Sequence, residues 1–319
     1  MSVVDFMERH YTHMNGRATL ASAEGYHNFT TEQDGKMVVA LAGAMSTAEI
    51  GKSLAPMIRA DKVSAISSTG ANIEEDIFNL LHNNKYKMQP NWRELTMADD
   101  EKTRDEGFNR VTDTCIPEDV MLETHAKLRE LWQAAGEKDE RYFHWEYFYQ
   151  MIRSGYLEDK NDIPMEDSWV VAASEKDIPI YTPGKEDSTI GNMFTADVMR
   201  GKIKNKHSVL KSGTEEFEHL TNWYEKMQKD HPIGFFQIGG GIAGDFAMCV
   251  VPGLIQDHEK EETRRWRYFS HIGDAVTSYG GYSGCPANEK VTWHKLDTDT
   301  ERHVIESDAT IVAPLIFEY

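Results

Sequence analysis

Residues 63–81 read Val-Ser-Ala-Ile-Ser-Ser-Thr-Gly-Ala-Asn-Ile-Glu-Glu-Asp-Ile-Phe-Asn-Leu-Leu, and they indicate the fold class more clearly than any other stretch. A short apolar run at 63–66 predicts a buried strand, and a polar loop at 67–72 follows it. The apolar residues after the loop are spaced as they are on a helix. The stretch therefore predicts one strand–loop–helix unit.

The part of the chain before this unit shows the same succession of strand, loop and helix. Residues 36–42 form a short apolar run that predicts a buried strand, and Gly43 follows it. Ser46 is a candidate N-cap for a helix whose apolar residues run from Ile50 to Ile58. Two such units in succession predict an α/β protein with a parallel sheet wound by helices.

The composition changes at about residues 85–165, where charged and aromatic residues dominate. Residues 118–132 and 142–152 in this region are predicted to form two helices. We interpret the region as a helical insertion or cap on the sheet.

The α/β alternation returns after the insertion. We predict one further helix and three further strands, at residues 167–176, 178–182, 233–238 and 309–317. Pro314 suits the edge or the exit of the last of these strands. The simplest interpretation is one doubly wound domain over residues 1–319.

The composition bounds the class of partner. The 319 residues are 40% hydrophobic and 10% aromatic, so the chain can bury a sizeable core. Lys and Arg number 34 against 53 Asp and Glu, which gives a net charge of −19. That charge argues against nucleic acid or an anionic membrane as a main partner, and it attracts cationic ligands. Plain solubility is the simpler explanation of this charge.

The termini and the cysteines point to a cytoplasmic protein. The first ten residues lack the basic and apolar regions of a signal peptide, and no apolar run approaches about 18 residues. The three cysteines, Cys115, Cys249 and Cys285, are too scattered for a disulfide framework or a thiolate metal site. The 13 histidines show no His-Glu-x-x-His pattern, so we expect no metal.

Three loops after predicted strands are candidate ligand sites. Residues 239–244, Gly-Gly-Gly-Ile-Ala-Gly, match the dinucleotide pattern G-x-G-x-x-G, although a tight structural turn is an alternative. Loops at 68–72 and 185–192 also follow predicted strands. The acids at 74–76 open a predicted helix, where solvated residues that favour the helix dipole are the simpler interpretation.

A glycine-rich segment at 280–289 leads into Lys-Val-Thr-Trp-His-Lys at 290–295. A lysine beside Trp293 at the end of a mobile loop can be desolvated, which lowers its pKa. Imine chemistry needs such an amine because only the neutral form attacks a carbonyl or imine carbon. The alternative for Lys295 is an ordinary surface lysine.

Taken together and in order, these stretches resemble the deoxyhypusine synthase family from about residue 36 to 317. The resemblance is carried by residues 68–76, 109–111, 116–117, 178–183 through 191, 239–241, 291–295, 307–309 and 314–315.

The resemblance implies a Rossmann-like fold, a homotetramer, and NAD bound near subunit interfaces. It also implies the reaction: NAD takes a hydride from the carbon beside an amine nitrogen, a lysine carries the aminobutyl group as an imine (Schiff base), and an acceptor amine receives it. The hydride then returns, so NAD is not consumed. The resemblance places Lys295 as that catalytic lysine and Trp293 as the aromatic wall of the amine pocket. It places Glu289 at an acidic position of the amine site.

The cofactor-contacting positions implied by the resemblance are Thr69, Gly70, Glu75, Asp187, Gly240, Gly241, Asp308 and Ala309. Gly43 and Ala44 match less well, because their loop departs from the family's serine-rich form.

The chain departs from the family mainly in the amine-binding positions. Phe246 stands where a catalytic histidine that contacts the amine is expected, and Asn192 stands where a carboxylate binds a substrate nitrogen. Tyr282 replaces another acid, whereas Asp113 replaces a neutral amide. A misplaced buried charge costs several kcal/mol, so we expect these changes to alter the amine that is bound.

His294, beside the lysine, is a candidate replacement for the missing histidine. The alternation of side chains in an extended segment argues against it, because it would point His294 away from Lys295.

Three hypotheses follow. The first is an NAD-dependent aminoalkyl (aminobutyl) transferase that moves an aminoalkyl group from a polyamine such as spermidine, or from a diamine, to a free amine, like the homospermidine synthases of this family. The second is a true deoxyhypusine synthase that modifies a lysine of the hypusine-bearing translation factor. The third is a non-catalytic protein that binds NAD or polyamines.

Overall fold

A computed structural model describes residues 1–277 and 280–319. Its α-helices are α1 (Val3–His10), α2 (Met14–Thr31), α3 (Gly51–Arg59), α4 (Gly70–His82), α5 (Met97–Asp105), α6 (Glu118–Lys138), α7 (His144–Arg153), α8 (Trp169–Lys176), α9 (Thr189–Met199), α10 (Gly213–Met227), α11 (Gly241–Met248), α12 (Val250–Pro252), α13 (Glu289–Thr292) and α14 (Ala309–Phe317). Its strands are β1 (Lys36–Leu41), β2 (Ala65–Ser68), β3 (Lys87–Met88), β4 (Phe108–Val111), β5 (Thr114–Pro117), β6 (Ile180–Tyr181), β7 (Ile233–Ile238), β8 (Trp266–Gly273) and β9 (Leu296–Glu306).

The main sheet has six strands in the order β6-β2-β1-β7-β8-β9. Every neighbouring pair is parallel, and β1 pairs with β7 from Lys36 opposite Ile233 to Leu41 opposite Ile238. Numbered within this sheet alone, the order is 3-2-1-4-5-6, which is the Rossmann order. The predicted parallel α/β fold is confirmed.

Helices cover both faces of this sheet. Successive side chains of a strand point to opposite faces, so each central strand packs against both layers of helices. In β1, Met37, Val39 and Leu41 join one apolar cluster, with helices that include α2, α3, α4 and α14. Val38 and Ala40 join a second cluster with α10, α11 and α12. A strand buried on both faces needs a continuous apolar run, which residues 36–42 supply.

The sheet has its topological switch point between β1 and β7. From β1 the chain proceeds to β2 and β6 on one side, and from β7 it proceeds to β8 and β9 on the other. Ligands of such sheets bind outside the carboxyl ends of the strands at this point. The loop after β1 and the glycines after β7 therefore lie where a ligand is expected.

The region at 85–165 contains the two predicted helices, now α6 and α7, and more. It also holds α5 and a three-stranded antiparallel sheet in the order β3-β5-β4. The prediction of a purely helical insertion missed this small sheet, because its strands are only two to four residues long.

The strand predicted at 309–317 is wrong, because these residues form α14. Asp308 caps the helix, and its Oδ1 accepts from the backbone N–H of Thr310 at 2.8 Å. Val312, Ala313, Ile316 and Phe317 are buried, which is the spacing of one helical face. An apolar run of nine residues fits a strand or a buried helix equally well by periodicity alone.

Two strands and one helix start also differ from the prediction. The prediction omitted β8 and β9, which complete the sheet. The helix expected to start at Ser46 starts at Gly51, after a turn in which the Ser46 backbone N–H donates to Asn72 Oδ1 at 2.9 Å. Within the part of the chain that is described, no helix is long and apolar enough to cross a membrane.

Candidate active site

The loops at the carboxyl edge of the sheet contact one another. Thr69 Oγ1, after β2, donates to the carbonyl of Gly43, after β1, at 2.8 Å. A Cβ added at Gly70 would lie 2.8 Å from Ser188 Cβ, so this glycine allows the loop after β6 to approach α4. The loops after three neighbouring strands therefore form one surface next to the switch point.

Two glycines leave open backbone at the switch point itself. Gly43 has φ +62° and Gly241 has φ +63°, and no atom lies within 4 Å of the position that a Cβ would take at either residue. Gly241 is also the first residue of α11, whose free amide groups can bind an anionic group. Open backbone beside a helix N-terminus fits the pyrophosphate of a dinucleotide.

Gly240 lacks the open backbone of Gly43 and Gly241, because another segment of the chain packs over it. A Cβ there would lie 2.6 Å from Ser283 Cα, and one at Gly244 would lie 3.0 Å from the Tyr282 ring. The segment around the 3₁₀ turn Tyr282–Gly284 therefore packs directly on the glycine turn after β7.

The acids at 74–76 are buried, so the interpretation as solvated residues is wrong. Glu74 accepts hydrogen bonds from the backbone N–H of Thr189 and Ile190, at 2.9 and 2.8 Å, and it holds the start of α9. Glu75 accepts from Thr47 Oγ1 at 2.6 Å, and burial raises its pKa to about 7. Burial also raises the pKa of Asp76 to about 7.

The other expected cofactor positions lie on loops at the carboxyl edge. Asp187 is exposed in the loop between β6 and α9, where its backbone N–H donates to the Gly184 carbonyl at 2.8 Å. Asp308 and Ala309 lie after β9, at the N-terminus of α14. Thus Thr69, Gly241 and their neighbours lie next to the switch point, whereas Asp308 lies two strands away from β7.

A cavity of about 490 Å³ surrounds Lys295, between α11 and the segment 280–295. Its lining includes Asp245, Cys249, Tyr282, Lys290 and Lys295. We call this cavity the lysine pocket. Because Tyr282 and Ser283 also cover the glycine turn, one short segment joins the lysine pocket to the candidate dinucleotide site.

Lys295 is buried and paired. Its Nζ donates to Asp245 Oδ1 at 2.7 Å and lies 5.4 Å from the centre of the Tyr282 ring. The Lys295 side chain is 9% exposed, whereas that of Asp245 is 45% exposed. The surface-lysine alternative is thus excluded, and the half-exposed carboxylate can exchange a proton with solvent.

Of the expected amine-site residues, Tyr282, Glu289 and Trp293 line the lysine pocket together with Lys295. Trp293 is 60% exposed and Glu289 is also exposed, so both stand at its mouth. The Tyr282 hydroxyl donates to Gln237 Oε1 at 2.9 Å, which fixes the ring beneath the lysine.

The structure does not bring three expected residues to this pocket. Phe246 packs against Phe217, with ring centres 5.3 Å apart. Asn192 Nδ2 donates to the backbone carbonyls of Glu186 and Ser188. Asp113 lies at the turn between β4 and β5, where its carboxylate accepts from Thr114 Oγ1 at 3.1 Å.

His294 also faces elsewhere. It has φ +58°, and its Nδ1 lies 3.3 Å from the Arg265 guanidinium. The residue is not extended, so the argument from alternation does not apply, but its ring is still outside the lining of the lysine pocket.

The sequence reasoning missed several residues of the pocket, among them Asp245 and Lys290. Asp245 immediately precedes Phe246, and an alignment shifted by one residue would have found it. Lys290 lies five residues before Lys295, and its burial could not be inferred from a polar segment. Asp245 takes part in the reaction proposed below, whereas Lys290 does not.

A larger groove, of about 820 Å³, lies at the opposite edge of the sheet. It is lined by aromatic residues such as Trp145, Tyr149 and Trp223, and by Ile178 just before β6. It lies at the amino ends of strands, whereas ligands of open α/β sheets bind at the carboxyl ends. We therefore place the site at the switch point and the lysine pocket.

Comparisons with known proteins show the family to which the chain is similar over its length. A family model described as "Deoxyhypusine synthase" matches residues 3–319. A deoxyhypusine synthase-like protein from Nostoc sp. (strain PCC 7120) is 30% identical, and the match covers 100% of this chain and 81% of that protein.

Two solved structures show the fold. A crystal structure of a candidate deoxyhypusine synthase from Entamoeba histolytica has a TM-score of 0.60 at 13% identity, covering 99% of this chain and 92% of that chain. The ternary complex of AgrE with ornithine and NAD⁺ has a TM-score of 0.51 at 10% identity, covering 95% of this chain and 33% of that chain.

Proposed function

Because this chain belongs to the deoxyhypusine synthase family, we propose that it is an NAD-dependent transferase that moves an aminoalkyl group from a polyamine or diamine to a free amine. The group would be carried as an imine on Lys295. The observation that supports this most is the buried Lys295 beside a half-exposed carboxylate, in a pocket next to the candidate dinucleotide site.

NAD, when bound, would accept a hydride from the carbon next to the donor nitrogen and return it at the end. Gly43 and Gly241 would give the pyrophosphate access to the backbone, as argued above. The segment at 282–284 would exclude water between the cofactor and the amine, because it packs on both Gly240 and the lysine pocket.

Asp245 would act on the proton of Lys295. A lysine attacks only as the neutral amine, so its Nζ must first lose a proton. Asp245 Oδ1 lies 2.7 Å from Nζ, within the range for direct proton transfer. A carboxylate would thus do the proton transfer for which the family pattern led us to expect a histidine.

The transfer itself then balances without a further reactant. Lys295 Nζ forms a bond to the oxidised donor carbon, and the remainder of the donor leaves as an amine. The acceptor amine next attacks the same carbon, and the bond to Nζ breaks. The new imine receives the returned hydride, so no net oxidation occurs.

The charge of the lysine pocket supports small amines over the family's usual polyamine. Its described lining contains two carboxylates, Asp245 and Glu289, and Asp245 is already paired with Lys295.

Since Asp113 and Asn192 lie elsewhere on this chain, they would reach the amine only from another subunit. We therefore retain the homotetramer as part of the proposal.

The test is reductive trapping. Purified protein is incubated with NAD and labelled putrescine or spermidine, borohydride is added, and the labelled peptide is mapped by mass spectrometry. We expect label on Lys295 in the wild type and none there in K295R. Absence of an adduct with every amine tried would overturn the proposal and leave a non-catalytic binding protein.

A second arm identifies the acceptor. Candidate small amines and the hypusine-bearing translation factor are offered without borohydride, and the label is followed. Label in a small amine supports the proposal, whereas label only in the translation factor would show a true deoxyhypusine synthase instead.

A further inference from the structure

A second lysine lines the lysine pocket, and the reaction described above does not use it. Lys290 is 2% exposed, and its Nζ lies 4.5 Å from the centre of the Tyr282 ring and 5.4 Å from that of Phe269. Lys290 and Lys295 thus share one aromatic ring, Tyr282, which each approaches within 5.4 Å.

The two lysines differ in their partners. Lys295 has Asp245 at 2.7 Å, whereas among residues 1–277 and 280–319 no carboxylate forms an ion pair with Lys290. Glu289, the adjacent residue, is exposed at the mouth of the pocket. Buried charges in proteins are almost always paired, so an unpaired ammonium that lines a cavity is unusual.

The surroundings of Lys290 only partly offset the cost of its burial. Burial lowers its pKa, and the charge of Lys295 lowers it further, while Cys285 and Asp245 act in the opposite direction. The cation–π contact with Tyr282 contributes some stabilisation. Neither carboxylate of the described lining forms an ion pair with Lys290.

We propose that Lys290 binds the carboxylate of an amine ligand. The acceptor in the proposed transfer is then an amino acid-like molecule that carries both an amine and a carboxylate. The proposal rests on the proposed function in one respect, that the lysine pocket is where the acceptor amine binds.

The pocket then has two ends of opposite charge. Glu289 attracts the amine end of a ligand, since Asp245 is already paired with Lys295, and Lys290 attracts its carboxylate. A second ammonium near Lys290 would meet a like charge, which is a means of rejecting the wrong ligand. The acceptor nitrogen would thereby be oriented toward the carbon carried by Lys295.

The test uses two probes of the same length that differ only at one end, 4-aminobutanoate and 1,4-diaminobutane. Their affinities are measured by calorimetry with the full chain in the presence of NAD, for the wild type, K290M, K290R and K102M. Met retains most of the side-chain length without the charge, Arg retains the charge, and Lys102 is an exposed lysine that lines no part of this pocket.

We expect K290M to lose at least tenfold in affinity for 4-aminobutanoate, with the affinity for the diamine unchanged or increased. K290R should retain part of the affinity for 4-aminobutanoate, and K102M should match the wild type. The proposal is overturned if the wild type does not bind 4-aminobutanoate, or if K290M binds it as the wild type does. It is also overturned if K290M weakens both probes equally.

The result is independent of the transferase test. Loss of 4-aminobutanoate binding in K290M without any adduct on Lys295 would retain the anion site and refute the transfer. An adduct on Lys295, together with 4-aminobutanoate binding that K290M leaves unchanged, would support the transfer and refute the anion site.

Discussion

The replacement Asp245→Asn tests the central contact of the site. The amide keeps the size of the side chain but cannot take the proton of Lys295. A hydrogen bond to a charged group contributes about 1.5–3 kcal/mol. Because the Asp245 side chain is 45% exposed, solvent screens the pair, and we use the lower part of that range. At about 1.4 kcal/mol per factor of ten, the expected loss is about 10- to 30-fold in rate.

The assay is the rate of adduct formation on Lys295, measured by quenching with borohydride at increasing times under saturating NAD and diamine. D245N should lower this rate with little change in the diamine concentration needed for half-saturation, and D245E should restore part of it. D299N is the matched control, since Asp299 is an exposed carboxylate on the edge strand β9 that pairs with Arg267. A rate for D245N within twofold of the wild type would refute the reasoning. A faster rate would also refute it, because Asp245 would then hold the lysine in its unreactive charged form.

Three further predictions concern the buried acid, the glycine turn and the last helix. Glu75 stays protonated in the folded protein up to about pH 7 but ionises near 4.5 when unfolded, so the free energy of unfolding should fall as the pH rises between these values. In urea unfolding, Glu75→Gln should show a shallower decrease, because Glu74 and Asp76, whose pKa values burial also raises to about 7, still contribute, and it should be more stable than the wild type at pH 8 by up to about 3 kcal/mol. An unchanged pH slope would show that Glu75 is ionised when folded. Gly240→Ala should push Ser283 off the glycine turn, because the new Cβ would lie 2.6 Å from Ser283 Cα. We expect the free energy of unfolding to fall by about 1–3 kcal/mol and NAD to bind more weakly in a fluorescence titration. Unchanged NAD binding would show that the segment at 282–284 does not border the cofactor. Ile316→Ala should lower the free energy of unfolding by about 2–4 kcal/mol, since Ile316 is 3% exposed on the buried face of α14; a loss below about 0.5 kcal/mol would contradict the packing of this helix.

The sequence predicts strands β1, β2, β6 and β7 of the main sheet but misses β8 and β9. Strands β1, β2 and β7 are buried on both faces and carry continuous apolar runs, which are easy to recognise. In contrast, β9 is an edge strand with many exposed polar residues, so its composition resembles that of a loop. The apolar residues at 309–317 are ambiguous between helix and strand until their packing partners are known.

The candidate site divides in a similar way. Lys295, Trp293, Glu289 and Tyr282 lie in one stretch of the chain, and the structure brings them together. Asp245 was missed because neighbouring residues on a helix point about 100° apart, so a shift of one residue in an alignment exchanges a pocket residue for a core residue. The separation of Asp113 and Asn192 from the pocket depends on the tertiary path of the chain, which no local pattern reports.

The described lining of the lysine pocket comes entirely from residues 245–295, whereas the loops around the switch point come from both halves of the chain. If the lysine pocket binds the amine as proposed, the part of the amine site that this pocket supplies is encoded in one contiguous segment, and the framework proposed for the cofactor is encoded around it. Such a segment can be exchanged between relatives by a single recombination event, without disturbing the strands that carry the first half of the sheet. A chimaera that carries residues 245–295 of a relative on this framework should acquire that relative's preference among amines, in a single genetic step.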